Sequence, residues 1–342
     1  MAPGPWRIAV LHYQPKGEPA DAVMGQVRSA LEEGGHETVA IGVDESVSDL
    51  VRMVGRSRAD LVFNICETFA DDYRLEVNVA AMLELARVPF TGSGTAGLLL
   101  AQDKILTKQL LQYHGVLTPR FATFDGASLQ TSGDLRFPVV VKPARSDASL
   151  GLGVEKDLEG LARRVRKIRE EFGDEALAEE FIEGRELYVG VLGDPSRPEV
   201  LPVVELDFGA KWGRKRMKIA NREVKFGPET AGSPRLVLPT DLSDELLGRV
   251  SRAAITAFRA LKLRDYARID FRLSSGTKDP YLLEVNPNPY LEAQCEVALG
   301  ARERGLSYPA LIRHIADTAM QRQVSPRMKA VPVTEAQSVP RV

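Results

Sequence analysis

The chain has 342 residues but only two cysteines, Cys66 and Cys295, far apart and in no ligand-spaced pair. Their scarcity excludes a disulfide framework and the common zinc spacings, and points to a reducing cytoplasm. Its four histidines fall in no motif, and no Ser/His/Asp arrangement is present to support a nucleophilic triad. No apolar run approaches the ~18 residues needed to span a bilayer. The start, Met1-Ala2-Pro3-Gly4-Pro5-Trp6-Arg7, lacks a charged segment followed by a long apolar one, so a soluble protein without a secretion signal is expected. A strong charge bias is missing too: 45 Lys and Arg face 47 Asp and Glu, for a net charge of -2. Nothing global draws the protein to nucleic acid or membrane.

What is present is ordinary globular material, 44% apolar and 27% charged, long enough for two or three packed units. Over residues 1–102 short β-rich runs (Arg7–Tyr13, His36–Val43, Ala59–Ile65, Val88–Thr91) alternate with helical spacing. That alternation predicts βαβ units with a parallel sheet, an α/β domain. A small central α+β unit is expected over 103–194. It contains a helix Lys104–Tyr113, an apolar run Phe137–Val141 and strands Ala176–Ile182 and Arg185–Leu192. Its amphipathic helix has apolar positions Leu158, Leu161, Val165, Ile168 and Phe172. A third α+β unit, 195–323, has a strand Val200–Phe208, a long helix from Leu242 to about Leu263, strands Tyr266–Leu273 and Tyr281–Asn286, and a closing helix near Tyr308–Gln321. The tail 324–342 has no periodicity and reads as disordered.

The strongest chemical signal lies in the last pair of strands. Period-two alternation puts Ala267, Ile269 and Phe271 on one face of the first strand and Arg268 and Asp270 on the other. In the second strand it turns Leu283 and Val285 inward, and Glu284 and Asn286 toward Arg268 and Asp270. Asp270, Glu284 and Asn286 are hard oxygen donors, few enough in charge to suit Mg²⁺ held together with nucleotide phosphates. The alternative is an exposed hairpin face with solvated charges. The run Phe137-Pro138-Val139-Val140-Val141-Lys142-Pro143 ends a strand in a lysine, before a loop of small residues closed by Gly151 and Gly153. Such a loop offers backbone N–H groups and a point charge to phosphates, though a plain turn fits as well. Asp103-Lys104 opens a helix with Lys108 one turn on, which by itself fits a solvated face. Glu179 to Glu186 spans a Gly turn between strands and suits either an adenosine hinge or a salt-bridged hairpin.

Taken in order, Asp103-Lys104, Val141-Lys142-Pro143, Glu179 to Glu186, Arg268-x-Asp270 and Glu284-x-Asn286 resemble the ATP-grasp superfamily, most of all the D-alanine–D-alanine ligases. Val88-Pro89-Phe90-Thr91-Gly92-Ser93-Gly94 is similar to that family's Pro-Tyr-Thr-Gly-Ser-Gly. The resemblance implies an ATP-grasp fold with nucleotide between the last two units. It also implies a carboxylate–amine ligase working through an acyl phosphate, with two Mg²⁺ ions, a role Mn²⁺ could also fill. Lys104 and Lys142 would hold phosphates; Glu179, Phe181 and Ile182 would frame adenine; Glu186 would bind ribose. Asp270, Glu284 and Asn286 would bind the metal and Arg268 the acyl phosphate. Lys225, in Glu223-Val224-Lys225-Phe226, would reach the γ-phosphate, and Glu18 would hold the first substrate's amino group. A homodimer is the family's tendency.

Departures fall on the substrate side. The family's Glu-Gly-Ser-Ser becomes Ser146-Asp147-Ala148-Ser149, so one serine is lost and Ser149 remains. Its His-Gly-x-x-Gly-Glu-Asp-Gly becomes Asn64 to Asp72, and after Asn286 comes Pro287-Asn288-Pro289-Tyr290. Cys295 stands near a substrate-contacting serine of the family. Small-molecule amino acids or peptides are therefore the expected substrates, D-alanine not necessarily among them. An ATP-grasp ligase extending a specialised metabolite or peptide is a second reading, and an ATP-binding regulatory protein without turnover a third. Lys211–Lys218 is a candidate lid or acidic-substrate contact.

Overall fold

The computed structural model describes residues 4–125, 129–131, 134–146, 149–209, 217–220, 224 and 233–324. Strands β1 (Arg7–Tyr13), β2 (Glu37–Val43) and β3 (Leu61–Asn64) form a parallel sheet in the order β2-β1-β3. Helices α1 (Ala22–Glu33), α2 (Val47–Ser57) and α3 (Glu76–Leu85) connect and cover it. The expected strand at Val88–Thr91 is a single parallel bridge, Val62 to Phe90.

Two helices had no sequence signal. In α4 (Thr95–Gln102) the segment TAGLLLAQ is apolar nearly all round and starts on Gly94 without a side-chain cap. Helix α8 (Glu296–Glu303) is capped by the weak acceptor Cys295 in place of a serine or aspartate. By contrast α5 (Lys104–Tyr113) begins where expected, because the Asp103 carboxylate accepts from the N–H groups of Ile105 and Leu106.

The central sheet is antiparallel, ordered β5-β4-β8-β6-β7, from β4 (Phe121–Phe124), β5 (Leu129–Thr131), β6 (Val139–Pro143), β7 (Gly153–Glu155) and β8 (Ala176–Glu180). Helix α6 (Leu158–Phe172) presses Leu161, Val165 and Ile168 onto Val139, Val141 and Ala178. Leu158, expected on that face, is 73% exposed, since it is the first helical residue and lies beyond the sheet contact.

The third sheet runs β12-β11-β9-β13-β14, with β10 on β9. It comprises β9 (Gly184–Gly193), β10 (Glu199–Val200), β11 (Val204–Asp207), β12 (Arg235–Val237), β13 (Asp265–Ser274) and β14 (Pro280–Asn286). Strand β9, grouped by sequence with the central unit, pairs along its whole length with β13. The turn Phe181–Glu183 thus carries the chain from one sheet to the next. Gly184 ends this crossing under tight approach: a Cβ there would lie 1.8 Å from the Leu273 carbonyl oxygen. The single strand expected over Val200–Phe208 is two, because Pro202 lacks the N–H that would continue the ladder. Helix α7 (Asp244–Ala260) buries Val250, Ala254, Ala257 and Phe258 against this sheet. Helix α9 (Tyr308–Val324) packs with α1 behind the first. It extends to Val324, where the tail was expected to begin; the remainder of the tail lies outside the described residues.

Candidate active site

On β13 the alternation reads as expected: Ala267, Ile269 and Phe271 are fully buried in the core beneath α7. Arg268 and Asp270 lie on the opposite face, both largely buried, with Asp270 lining a cleft. The register sets Arg268 opposite Asn286, and Asp270 opposite Glu284. Between Asp270 and Phe271 the register shifts, for Phe271 pairs with Leu282 and Leu283 is left over as a bulge. The bulge corrects the sequence reading of β14: Leu282, not Leu283, joins Val285 in the core, and Leu283 turns to the cleft.

The cleft lies between the central and third sheets and is open to solvent on one side. Lys142, from the end of β6, and Glu179, from β8, stand on one wall. Asp270 and Glu284 stand on the other, and Phe181, Ile182 and Glu186 close the end where the chain crosses. Ser149 also lines it, in a left-handed conformation (φ 58°), its hydroxyl donating to the Ala220 carbonyl at 3.1 Å.

Charge is concentrated and paired here. The Lys142 ammonium is 2.8 Å from Glu179, and Lys104 is 3.2 Å from Glu284 while also donating to the Ser146 carbonyl. Burial works to raise the Glu179 carboxyl, but Lys108 and Lys142 overcome it and hold the group below its usual range. Arg268 grips Asp270 with two hydrogen bonds of 2.8 and 3.0 Å, reaches Glu296 at 3.3 Å and lies over the Tyr188 ring. The Asn286 amide donates to Asp270 at 3.1 Å. Glu186 accepts from Arg272 at 2.7 Å and from the Tyr188 hydroxyl at 3.0 Å. Burial, with Glu186 and Asp270 nearby, raises the Tyr188 phenol well above its ordinary value, so it stays a neutral donor.

Two facing carboxylates and an amide oxygen are a donor set that fits a hard divalent cation with its shell incomplete. Among the described residues no three His, Cys, Asp or Glu side chains gather as a metal cage. A cation at Asp270 and Glu284 would therefore draw its remaining ligands from phosphate oxygens and water. Beside this wall lies a second hollow, lined by Glu67, Glu76, Gln102, Lys104, Asn286 and Asn288 among others. Asn288 donates to Glu76 at 2.9 Å and accepts from the buried Tyr266 hydroxyl.

The sequence-predicted residues Lys104, Lys142, Ser149, Glu179, Phe181, Ile182, Glu186, Asp270, Glu284 and Asn286 thus line one or both of these hollows, which share Glu284, and Arg268 joins them through its ion pair with Asp270. Glu18 does not join them; it sits on an exposed turn after β1, outside the lining of either. Lys225, Asp147 and Ala148 lie outside the described residues, as does Lys211–Arg216 of the basic stretch. Lys218 is described, and its carbonyl accepts from Arg272. Sequence reasoning overlooked Arg272, though the same alternation that selected 268 and 270 continues to it. It left Lys108 on a solvated face, whereas Lys108 is buried.

The D-ala D-ala ligase C-terminus family model matches residues 110–317. A D-alanine–D-alanine ligase of Sphingopyxis alaskensis is 32% identical over 329 residues, covering 94% of this chain and 100% of its own. A Sinorhizobium fredii protein named only as uncharacterized protein y4sG is 35% identical over 325 residues, 94% of this chain and 90% of its own. Among solved structures, D-alanine–D-alanine ligase from Bacillus anthracis complexed with ATP aligns with a TM-score of 0.69 at 22% identity. That alignment covers 93% of this chain and 99% of that one, a likeness of fold. With the family's C-terminal half matched and a ligase aligned over its whole length, the chain belongs to the D-alanine–D-alanine ligase family of ATP-dependent, ADP-forming carbon–nitrogen ligases.

Proposed function

We propose that this ligase uses the inter-sheet cleft to hold ATP and joins an amino acid or peptide carboxylate to an amine through an acyl phosphate. A carboxylate oxygen attacks the γ-phosphorus and the bond to ADP breaks. The amine nitrogen then attacks the carbonyl carbon, phosphate leaves, and the nitrogen loses a proton. In this reading Lys142 and Lys104 hold phosphates, and Phe181 and Ile182 frame the base at the crossing turn. Glu186, fixed by Arg272 and Tyr188, accepts from the ribose. Asp270, Glu284 and Asn286 hold Mg²⁺, which supplies charge neutralisation at the transferring phosphoryl group. Arg268, anchored by Asp270 and Glu296, stabilises charge that develops beyond the γ-position. Lys225 is assigned a γ-phosphate contact on the family resemblance alone. Ser149, which lines the cleft, is assigned an auxiliary catalytic contact, and Glu18, exposed and outside both hollows, is given no role. The division at 1–102, 103–194 and 195–323 is kept as a proposal, with β9 belonging to the third sheet.

One observation carries this reading: Lys142 and Glu179 face Asp270 and Glu284 across a single cleft, although four separate strands supply them. Two buried free cysteines, and no described helix long and apolar enough to cross a membrane, support work in the cytoplasm. The deciding experiment is an ADP-release screen across D- and L-amino acids and dipeptides. Turnover with D-alanine alone identifies dipeptide synthesis. ADP release with none of them counts against an amino-acid ligase.

A second reading, extension of a specialised peptide or metabolite, is favoured by the hollow beside the metal wall. There Glu67 and Asn288 belong to the two stretches, Asn64 to Asp72 and Pro287 to Tyr290, that depart from the resembling family's motifs, with Glu76 beside them. It predicts that ADP release needs a substrate larger than a free amino acid, and screening peptide pools discriminates the two.

A further inference from the structure

Lys108 lies one turn beyond Lys104 on α5 and is only 1% exposed, yet it lines neither hollow. Its ammonium is 2.5 Å from one oxygen of Glu179, whose other oxygen is 2.8 Å from Lys142. It also donates to the carbonyls of Leu283 at 2.8 Å and Leu282 at 3.2 Å. Those carbonyls belong to the β14 bulge, where Leu283 has no ladder partner. Lys108 therefore touches the central sheet through Glu179 and the third sheet just before Glu284.

Burying a lysine is strongly disfavoured unless charge and hydrogen bonds compensate it. Here the compensation reaches the cleft. Alone, Glu179 would neutralise Lys142, and a phosphate approaching that pair would meet almost no net charge. Burial pulls the Lys108 ammonium below its ordinary pKa, but Glu179 at 2.5 Å and two carbonyls hold its proton. So charged, it leaves the trio with one net positive charge, and Lys142 is the trio's only lysine on the cleft wall. In a poorly solvated site that difference is felt strongly.

We propose that Lys108 is a positioning residue that neutralises Glu179 from behind, so that Lys142 presents an unspent positive charge to the nucleotide phosphates. This rests on the reading of the cleft as the ATP site. The test is calorimetric ATP binding to the full chain, with and without Mg²⁺, for wild type, K108M and K108M/E179Q. K108M leaves the pair neutral and is expected to weaken ATP binding roughly tenfold or more. The double variant removes one charge of each sign, restores the net positive charge, and is expected to bind ATP at least about threefold more tightly than K108M; the recovery is read against the single variant because Glu179 itself lines the cleft. A packing role would instead leave the double variant at least as weak as the single. That result, or K108M binding as wild type does, overturns the inference. If K108M does not fold, K108Q and K108Q/E179Q replace the pair, with the same loss and the same threefold recovery expected. A double variant unable to fold also overturns it, since charge balance would then not be the residue's task. Wild type that binds no ATP refutes the nucleotide reading itself, a separate outcome.

Discussion

Arg272 and Glu186 stand directly opposite each other on β13 and β9, and their side chains meet as a buried ion pair of 2.7 Å at the end of the cleft. Arg272 also donates to the Ile182 carbonyl at 2.9 Å, so one guanidinium holds both the crossing turn and its acidic residue. Replacing it with methionine strands a buried carboxylate, with an expected loss of ~3–5 kcal/mol. Thermal melting of R272M checks this, and R272M/E186Q should recover most of the lost stability. An unchanged melting temperature in R272M would show that solvent already satisfies Glu186.

Glu284 faces Asp270 across the strand pair and is also 3.2 Å from Lys104. E284A is expected to cut ADP release by about a hundredfold or more, as lost metal affinity feeds into the phosphoryl step. Titrating Mg²⁺ should show a raised requirement in any residual activity. Full turnover at unchanged Mg²⁺ would remove Glu284 from the metal set.

Burial holds the imidazoles of His12 and His36 below their ordinary value of 6.5. The unfolded chain therefore takes up protons at 6.5 before the folded one does. Their effect on stability is absent above that pH, and stability falls as the pH drops from 6.5 toward the folded values. Urea unfolding from about pH 8 to about pH 5 should show this decline, and H12Q/H36Q should flatten it. An equal slope in both proteins would assign the decline to the carboxylates.

Gly151 follows the loop of small residues with φ at +72°, and a Cβ there would lie 2.8 Å from Pro143 and 3.0 Å from Phe172. G151A is expected to cost ~1–3 kcal/mol and, because Pro143 follows Lys142, to weaken ATP binding as well. Gly173, also at positive φ but with nothing within 4 Å, gives the control. G173A should lower the melting temperature slightly and leave ATP affinity alone. Equal effects of the two changes on ATP binding would disconnect the loop from Lys142.

Much of this site was legible in the sequence because its signals are local. Alternation along β13 separates Ala267, Ile269 and Phe271 from Arg268 and Asp270, a consequence of strand geometry alone. Asp103 announces the start of α5 through its own cap, and the strand ending in Lys142 is marked by its apolar run. Where local rules are broken, the reading slipped: the bulge at Leu283 exchanged two leucines between core and cleft, and Pro202 split a strand.

The sequence by itself determined the alternation of elements, the amphipathic faces and the identity of the residues able to handle phosphate and metal. Each depends on spacing along a short stretch of backbone. Only the tertiary structure decided that β9 leaves the central unit, that Lys108 and Arg272 are interior charges, and that Glu179 is shared between two lysines. A charge acquires its energetic meaning from the water it loses and the partners it gains. Both come from parts of the chain that no local pattern joins.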